Sequence, residues 1–403
     1  MLKFEDLIAA CSAGGASVLT SVTELQAAAG THASVAPAKF VDRSSSVFAF
    51  ETRYIDGQPQ QVALLDSKQS QLNRAEAAFM QDVRAGHPLA TLVPRIEVEY
   101  ENGPALTDME LPHRFADGHI RAGKIDGAPA TTNEQYRAVR NCNSANYKPL
   151  LNTAPAAAIL GAWDSTRPHN QVRLRSALTG EIIGSLANQN AKPTDQQSRR
   201  GGARVDSVAM SVQLDPQALA ELVDDQESEL SPKLVEKIRE EIKKAKKQKI
   251  SASALGLGGI PPQLEALGGV SCSRIIRSWV LSFATLRQLR FGEGPEGDVA
   301  GRALLAAFAL AMMARAEREL YLRANCDLVE TDAPVVTLDE RYGKKRVLQP
   351  ITVEEADALL EQAIEHARKV GVADWHGQVL KVVGNPAILS GADNSVDNAG
   401  EGS

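Results

Sequence analysis

The residues in this chain best equipped for chemistry are its clustered arginines and amides, and the chemistry they suit is phosphate binding. Between Trp163 and Arg204 stand seven Lys or Arg (Arg167, Arg173, Arg175, Lys192, Arg199, Arg200, Arg204) against three acids (Asp164, Glu181, Asp195). Arg173 and Arg175 lie two apart in a segment that reads as strand, which puts them on one face. From Val270 to Phe291 there are four arginines (Arg274, Arg277, Arg287, Arg290) and no acid. Guanidinium forks take phosphate oxygens two at a time. The competing reading is that these arginines pair with Asp or Glu from elsewhere in the fold, and the sequence leaves both open. A third concentration (Ser67, Lys68, Gln69, Ser70, Asn73, Arg74) crowds the first two turns of a helix expected over 67–85. Free backbone amides there would add to a phosphate cradle; ordinary capping is the alternative.

Catalytic motifs are missing. Gly292-Glu-Gly294-Pro-Glu-Gly297 has the form G-x-G-x-x-G, but two acids and a proline stand where bare amides should face a pyrophosphate. There is no Walker A sequence, no Gly-x-Ser-x-Gly elbow and no His-Glu-x-x-His. His113 and His119 with Asp117 are the nearest approach to a metal set, and their spacing suits neither a helix face nor a finger. No catalytic residue, metal or cofactor is expected.

The elements that must position these residues mix helix and strand without strict alternation, which favours an α+β fold. Strands are expected at 17–25, 46–55, 61–66, 95–101, 171–185, 327–331 and 377–383, with Asp56-Gly57-Gln58-Pro59 as a hairpin turn. Leu72, Ala75, Phe79 and Val83 give 67–85 its helical period, and Gly86 stops it. A charged helix over 231–249 starts at Ser231-Pro232. Two apolar helices are expected at about 273–291 and 298–323, and another over 353–370 with a Thr352/Glu355 capping box and a Gly371 stop. Residues 102–148 read as an insertion outside the core.

At 403 residues and 43% apolar composition the chain can bury a large core, whereas 4% aromatics leave little for base stacking. A formal charge of −6 argues against an indiscriminate nucleic-acid binder. Four scattered cysteines fit reduced thiols. The acidic start is unlike a signal peptide, and the longest apolar run, Ala303–Ala314, is short for a membrane span. A cytoplasmic, membrane-free protein is expected.

Five strings stand in one order: Ala16-Ser-Val-Leu-Thr-Ser-Val-Thr-Glu-Leu, Leu64-Leu-Asp-Ser-Lys-Gln-Ser-Gln-Leu-Asn-Arg-Ala-Glu, Gly161-Ala-Trp-Asp-Ser-Thr, Arg175-x5-Glu181-Ile-Ile-Gly and Val280-Leu-Ser-Phe-Ala-Thr-Leu-Arg-Gln-Leu-Arg-Phe. Together, from about residue 10 to 385, the chain resembles the RAMP-type backbone subunit of type I-G (formerly I-U) CRISPR Cascade complexes. The resemblance implies a modified RRM-like (ferredoxin-like) palm over 1–385, with insertions at about 89–148 and 186–268 and a disordered tail at 386–403. It implies a non-catalytic, guide-RNA (crRNA) backbone-binding subunit that oligomerises along the crRNA and supports target DNA recognition. Neighbouring copies, a large subunit, a tail-capping subunit, a recruited helicase-nuclease and the guide-paired target strand would be its partners. Sequence is then read by base pairing, so protein contacts must be sequence-blind.

Carried onto this chain, the resemblance favours Ser67, Gln69, Gln71, Asn73 and Arg74 as RNA contacts, with Thr20 and Ser21 beside them. Arg173, Arg175, Arg199, Arg200 and Arg204 follow. Asp164 would fix its loop, and Arg287 and Arg290 would serve a neighbouring subunit. The RNA would lie in an electropositive groove floored by the sheet and the amino end of the 67–85 helix, and charge reversal at Arg74 would cut RNA retention with the fold intact. A base-wedging thumb would come from the 186–206 loop or the 89–148 insertion. The alternative is a RAMP-lineage endoribonuclease acting on CRISPR RNA through His113 or His119.

Overall fold

In the computed structural model every residue is described except 44, 102, 170, 201–210, 247, 259–265 and 393–403. The chain opens with helix α1 (Phe4–Cys11), strand β1 (Val18–Ala27) and two hairpins, β2–β3 (Lys39–Asp42, Ser45–Phe48) and β4–β5 (Phe50–Ile55, Gln58–Asp66). Asp56 and Gly57 turn the second hairpin with φ of +51° and +76°, the left-handed pair a two-residue turn requires. Helix α2 (Lys68–Arg84) and strand β6 (Arg95–Glu99) follow, then the short helices α3 (Gly118–Arg121) and α4 (Glu134–Arg140) and strand β7 (Leu178–Leu186). Strand β8 (Cys272–Ser282), helix α5 (Gly294–Glu319), strands β9 (Val335–Asp339) and β10 (Lys345–Leu348), helix α6 (Val353–Val370), strand β11 (Val379–Val383) and helix α7 (Pro386–Ala392) complete the labelled set.

The central sheet runs β10-β9-β1-β8-β7-β5-β4, with Leu328–Glu330 also paired to β1. Its heart is β1, α2, β7, β8, α5 and β9 in chain order, placed β9-β1-β8-β7 in space with every pair antiparallel. That is the β-α-β-β-α-β, ferredoxin-like arrangement. The α+β expectation holds, and hairpin β4–β5 and strand β10 extend the sheet at either side.

Alternation sets the two faces. Leu19, Ser21, Thr23 and Leu25 of β1 are buried, as are Ile275, Arg277, Trp279 and Leu281 of β8. Helices α2 and α5 pack against each other, with Phe79 edge-on to Phe308 at 5.0 Å between ring centroids, and α6 packs on α5. Helix α5 is apolar all round from Ala303 to Ala314 and buried from Ala303 to Ala316, as such a stretch must be. By length and composition it could cross a membrane, yet its apolar span is 89% buried in the fold.

Three expectations are corrected. Residues 272–282, expected within an apolar helix, form strand β8. Residues 102–148 are not outside the core, since Phe115, Ile120, Tyr136 and Val139 sit fully buried in the main cluster. Residues 386–392 of the expected tail are helix α7, and 393–403 lie outside the described residues. A second sheet joins β6 and β11 in parallel, with Leu106–Thr107, Lys124–Ile125 and Ala128–Pro129 beside them.

The chain divides into two compact units, Met1–Gln196 with Val270–Ser403, and Gln197–Gly269. The smaller one, against an expected insertion of 186–268, packs helices Pro216–Asp225 and Pro232–Lys244 around Leu219, Val223, Val235, Ile238 and Ala252. Ser231 caps the charged helix, its hydroxyl accepting from the Leu234 N–H at 3.3 Å.

Candidate nucleic-acid interface

Strand β5 passes into α2 without a loop, so its last residue lies under the helix's amino end. That residue, Asp66, is completely buried. Its carboxylate accepts from Ser70 Oγ (2.9 Å), Gln71 Nε2 (2.6 Å), Arg74 Nε (2.9 Å) and Nη2 (3.2 Å), and Arg323 Nη2. Arg74 Nη1 donates to the carbonyls of Tyr321 (2.6 Å) and Leu322 (2.9 Å). Burial alone would raise the Asp66 pKa. The hydrogen bonds from Arg74 and Gln71 and the charges of Arg74 and Arg323 outweigh it and hold the carboxyl below its ordinary value.

This hub leaves a local excess of positive charge. Two guanidiniums, with side chains 22% and 25% exposed, share one carboxylate that is 0% exposed. The helix adds its positive amino end. Ser67 caps α2 by accepting from the Ser70 N–H (3.2 Å), while Lys68, Gln69 and Asn73 are exposed around the first turns. Asn73 and Arg74 also line a cleft of about 280 Å³ with Ala77, Gln81, Glu319 and the exposed Tyr321. Of the residues expected here, Gln71 is buried on Asp66, and Arg74 is largely committed to protein groups.

Thr20 and Ser21 point to opposite sides of the sheet. Thr20 faces the open side, whereas Ser21 is buried and donates to Glu317 Oε1 at 2.8 Å. Burial raises the pKa of Glu317, against the lowering effect of Arg277 and of the Ser21 bond. The open side is not the electropositive floor expected: Arg53 Nη1 donates to Glu181 (3.1 Å), and Arg274 donates to Asp56 (2.8 Å) and to Glu24. Strand parity places Thr20, Val22 and Glu24 of β1, Thr179, Glu181 and Ile183 of β7, and Ile276, Ser278 and Val280 of β8 on that side. None of these is aromatic, so these strands offer no platform for stacked bases.

Arg173 and Arg175 are exposed, and the Arg173 guanidinium lies 5.2 Å from the centroid of the Trp163 ring. Arg199 and Arg200 form a two-residue strand with Ala266–Leu267 in the smaller unit. Arg204 falls outside the described residues. In the Val270–Phe291 run, Arg274 and Arg277 pair with acids, the latter with Glu330 at 3.3 Å, and Arg287 donates to the carbonyls of Ala10 and Ala16. Arg290 is exposed. Asp164 is buried and gripped by Arg140, in keeping with a loop-fixing role.

Arg323 and strand β2 are what sequence reasoning missed; the single strand expected over 46–55 is two, β3 and β4, and β2 pairs with the first of them. Arg323 also donates to the Leu65 carbonyl (2.5 Å), and Ala38 N–H donates to the same oxygen (3.1 Å), so the hairpin's base adjoins the hub. Its outer residues are uncovered, with Val41 79% exposed. The β-prone residues Phe40, Val41, Val47 and Phe48 were available as a signal, but the sequence between them carries no glycine.

Residues 19–189 match the model of the family described as CRISPR-associated protein GSU0053. No curated protein matches the chain. Among solved structures, the crystal structure of Thermofilum pendens Csc2 aligns over 87% of this chain and 74% of its own, at 9% identity and a TM-score of 0.28, too low to carry a shared architecture. Across the segment that supplies β1, α2 and β7, the chain is therefore similar to a CRISPR-associated family.

Proposed function

We propose that this chain is a non-catalytic, multicopy subunit of a type I-G CRISPR surveillance complex, holding the guide RNA by its sugar-phosphate backbone. The observation that carries the reading is the Asp66 hub within a CRISPR-family segment. One buried carboxylate there orients two arginines and leaves net positive charge among exposed Lys68, Gln69 and Asn73. Such a site meets phosphate and ribose without selecting bases, as a guide that must stay free to pair requires. Hairpin β2–β3, rooted beside the hub, is the thumb in this reading in place of the 89–148 insertion, whose Phe115, Ile120, Tyr136 and Val139 lie in the core; the 186–206 loop, partly outside the described residues, is the alternative. Copies of the chain would line the RNA, with the large, tail-capping and helicase-nuclease subunits and the target DNA strand as further partners.

Purification from cells carrying a CRISPR array tests the proposal. The expected particle absorbs at 260 nm and protects RNA of defined length from nuclease in regular intervals. Lys68→Glu with Asn73→Asp should reduce the retained RNA several-fold. A nucleic-acid-free particle, or one in which that variant keeps its RNA at all salt concentrations, would overturn it. Chelator-sensitive cleavage of repeat RNA by the pure protein would put the endoribonuclease alternative in its place.

A further inference from the structure

We infer that the paired segments Ala162–Trp163 and Arg173–Leu174 and the cleft beside them form a second nucleic-acid contact, where a single-stranded base stacks on Trp163 and an adjoining phosphate sits between Arg121 and Arg140. This contact does not depend on the α2 assignment, since it shares no residue with it.

Trp163 is the first observation. Trp279 and Trp375 are 1% and 0% exposed, whereas Trp163 is 53% exposed. Its position is fixed by pairing of Ala162–Trp163 with Arg173–Leu174, which sets Trp163 opposite Arg173 and lays the guanidinium on the indole. A held, solvent-facing ring with a cation against it is a sequence-tolerant stacking surface.

The second observation is the cleft. Its volume is about 640 Å³, and its walls include His119, Arg121, Arg140, Thr166 and Arg167. Asp164, next to Trp163, receives Arg140 Nε (2.8 Å) and Nη2 (3.1 Å) and Thr166 Oγ1 (3.1 Å), which locks loop and cleft together. Arg140 keeps Nη1 uncommitted among the described residues. Arg121 spends Nε on the Ala116 carbonyl (2.9 Å), which leaves both its Nη groups free among the described residues. Arg167 donates Nη1 to the Arg140 carbonyl and Nη2 to Asn141 Oδ1, which anchors its charge at the cleft wall. His119 Nδ1 meets the Tyr100 hydroxyl at 2.6 Å, and its Nε2 is uncommitted among the described residues. Three guanidiniums, of Arg121, Arg140 and Arg167, thus line a cleft beside the buried carboxylate of Asp164, while Asp117 accepts from the N–H groups of His113 and His119.

An aromatic stacking face next to unspent guanidinium donors matches the repeat of a single strand, which sets each base beside a phosphate. A duplex hides its base faces, and an acidic peptide has no use for the ring.

Intrinsic fluorescence tests this directly, because Trp163 is the solvent-facing tryptophan. Short oligo-U and oligo-dT, each titrated into the full chain, should quench and blue-shift its emission in a saturable, salt-sensitive way. The two arms tell RNA from DNA as the occupant. Trp163→Ala should abolish the quench and weaken oligonucleotide binding, read by anisotropy, by about tenfold or more, Trp163→Phe should restore part of that binding without the quench, and Arg121→Gln should weaken binding with the emission of the free chain unchanged. Lys68→Glu with Asn73→Asp should leave the quench intact, separating this contact from the one at α2. Emission indifferent to both oligonucleotides, Trp163→Ala binding like wild type, or equal quenching by poly-glutamate would each overturn the inference.

Discussion

Arg74 holds the buried carboxylate of Asp66 through Nε at 2.9 Å and Nη2 at 3.2 Å, and its remaining nitrogen is spent on the carbonyls of Tyr321 and Leu322. Charge reversal at Arg74 is therefore not a clean probe of RNA binding. Arg74→Glu sets a second carboxylate against Asp66 and should cost on the order of 3 kcal/mol, visible as a lower urea midpoint. Lys68→Glu and Asn73→Asp, on exposed positions, should stay within about 0.5 kcal/mol of wild type and still reduce bound RNA.

Arg315 joins three helices. It is fully buried on α5, donating Nε to Asp82 of α2 (2.7 Å) and both Nη groups to Asp357 of α6 (2.8 and 2.9 Å), with Phe79 beneath it. Arg315→Ala strands Asp357, while Asp82 keeps Arg318 (Nη2 at 3.0 Å), and should cost about 3–5 kcal/mol by chemical denaturation. Adding Asp357→Asn should recover part of that loss.

Asp108 gives the stability a pH dependence. Complete burial pushes its carboxyl up to about 7, against the lowering effect of the hydrogen bond it accepts from Ile96 N–H. The folded chain keeps a proton that the unfolded chain releases above 3.8, so this contribution is full below 3.8 and is lost as pH rises towards 7. The stability difference between wild type and Asp108→Asn should shift against wild type by up to about 1.4 kcal/mol per pH unit across that window. Paired denaturation curves at pH 4 to 8 check this.

Gly180 is required by its neighbour. A Cβ there would lie 2.4 Å from the Trp279 ring across the β7–β8 pair. Gly180→Ala should destabilise by about 1–3 kcal/mol, read as a lower Tm.

Much of this architecture is legible from local patterns. The alternation at β1, the turn before β5, the period of α2 and the Thr352 cap of α6 each depend on near neighbours, and each forms where expected. Strand β8 is different. Its inward positions are Ile275, Arg277, Trp279 and Leu281, and a buried arginine in that series breaks the apolar alternation and makes the segment look helical. Arg277 can sit there because Glu330 and Glu317 offset its charge, and neither is near it in sequence. The hub has the same logic. The Asp66–Arg74 string reads as an open cradle until Arg323, 257 residues on, closes around the aspartate.

The smaller unit leaves and rejoins the sheet between two strands that are already partners. Leu186 pairs with Cys272, and Ala187 N–H donates to the Ser271 carbonyl at 3.0 Å. A chain excursion that departs and returns through one doorway is topologically neutral, and lengthening it adds little closure entropy. Register is set upstream, by the pairing from Leu178 to Ser185, so the span between 187 and 271 can drift in size or be trimmed to a tight bend without re-registering either strand.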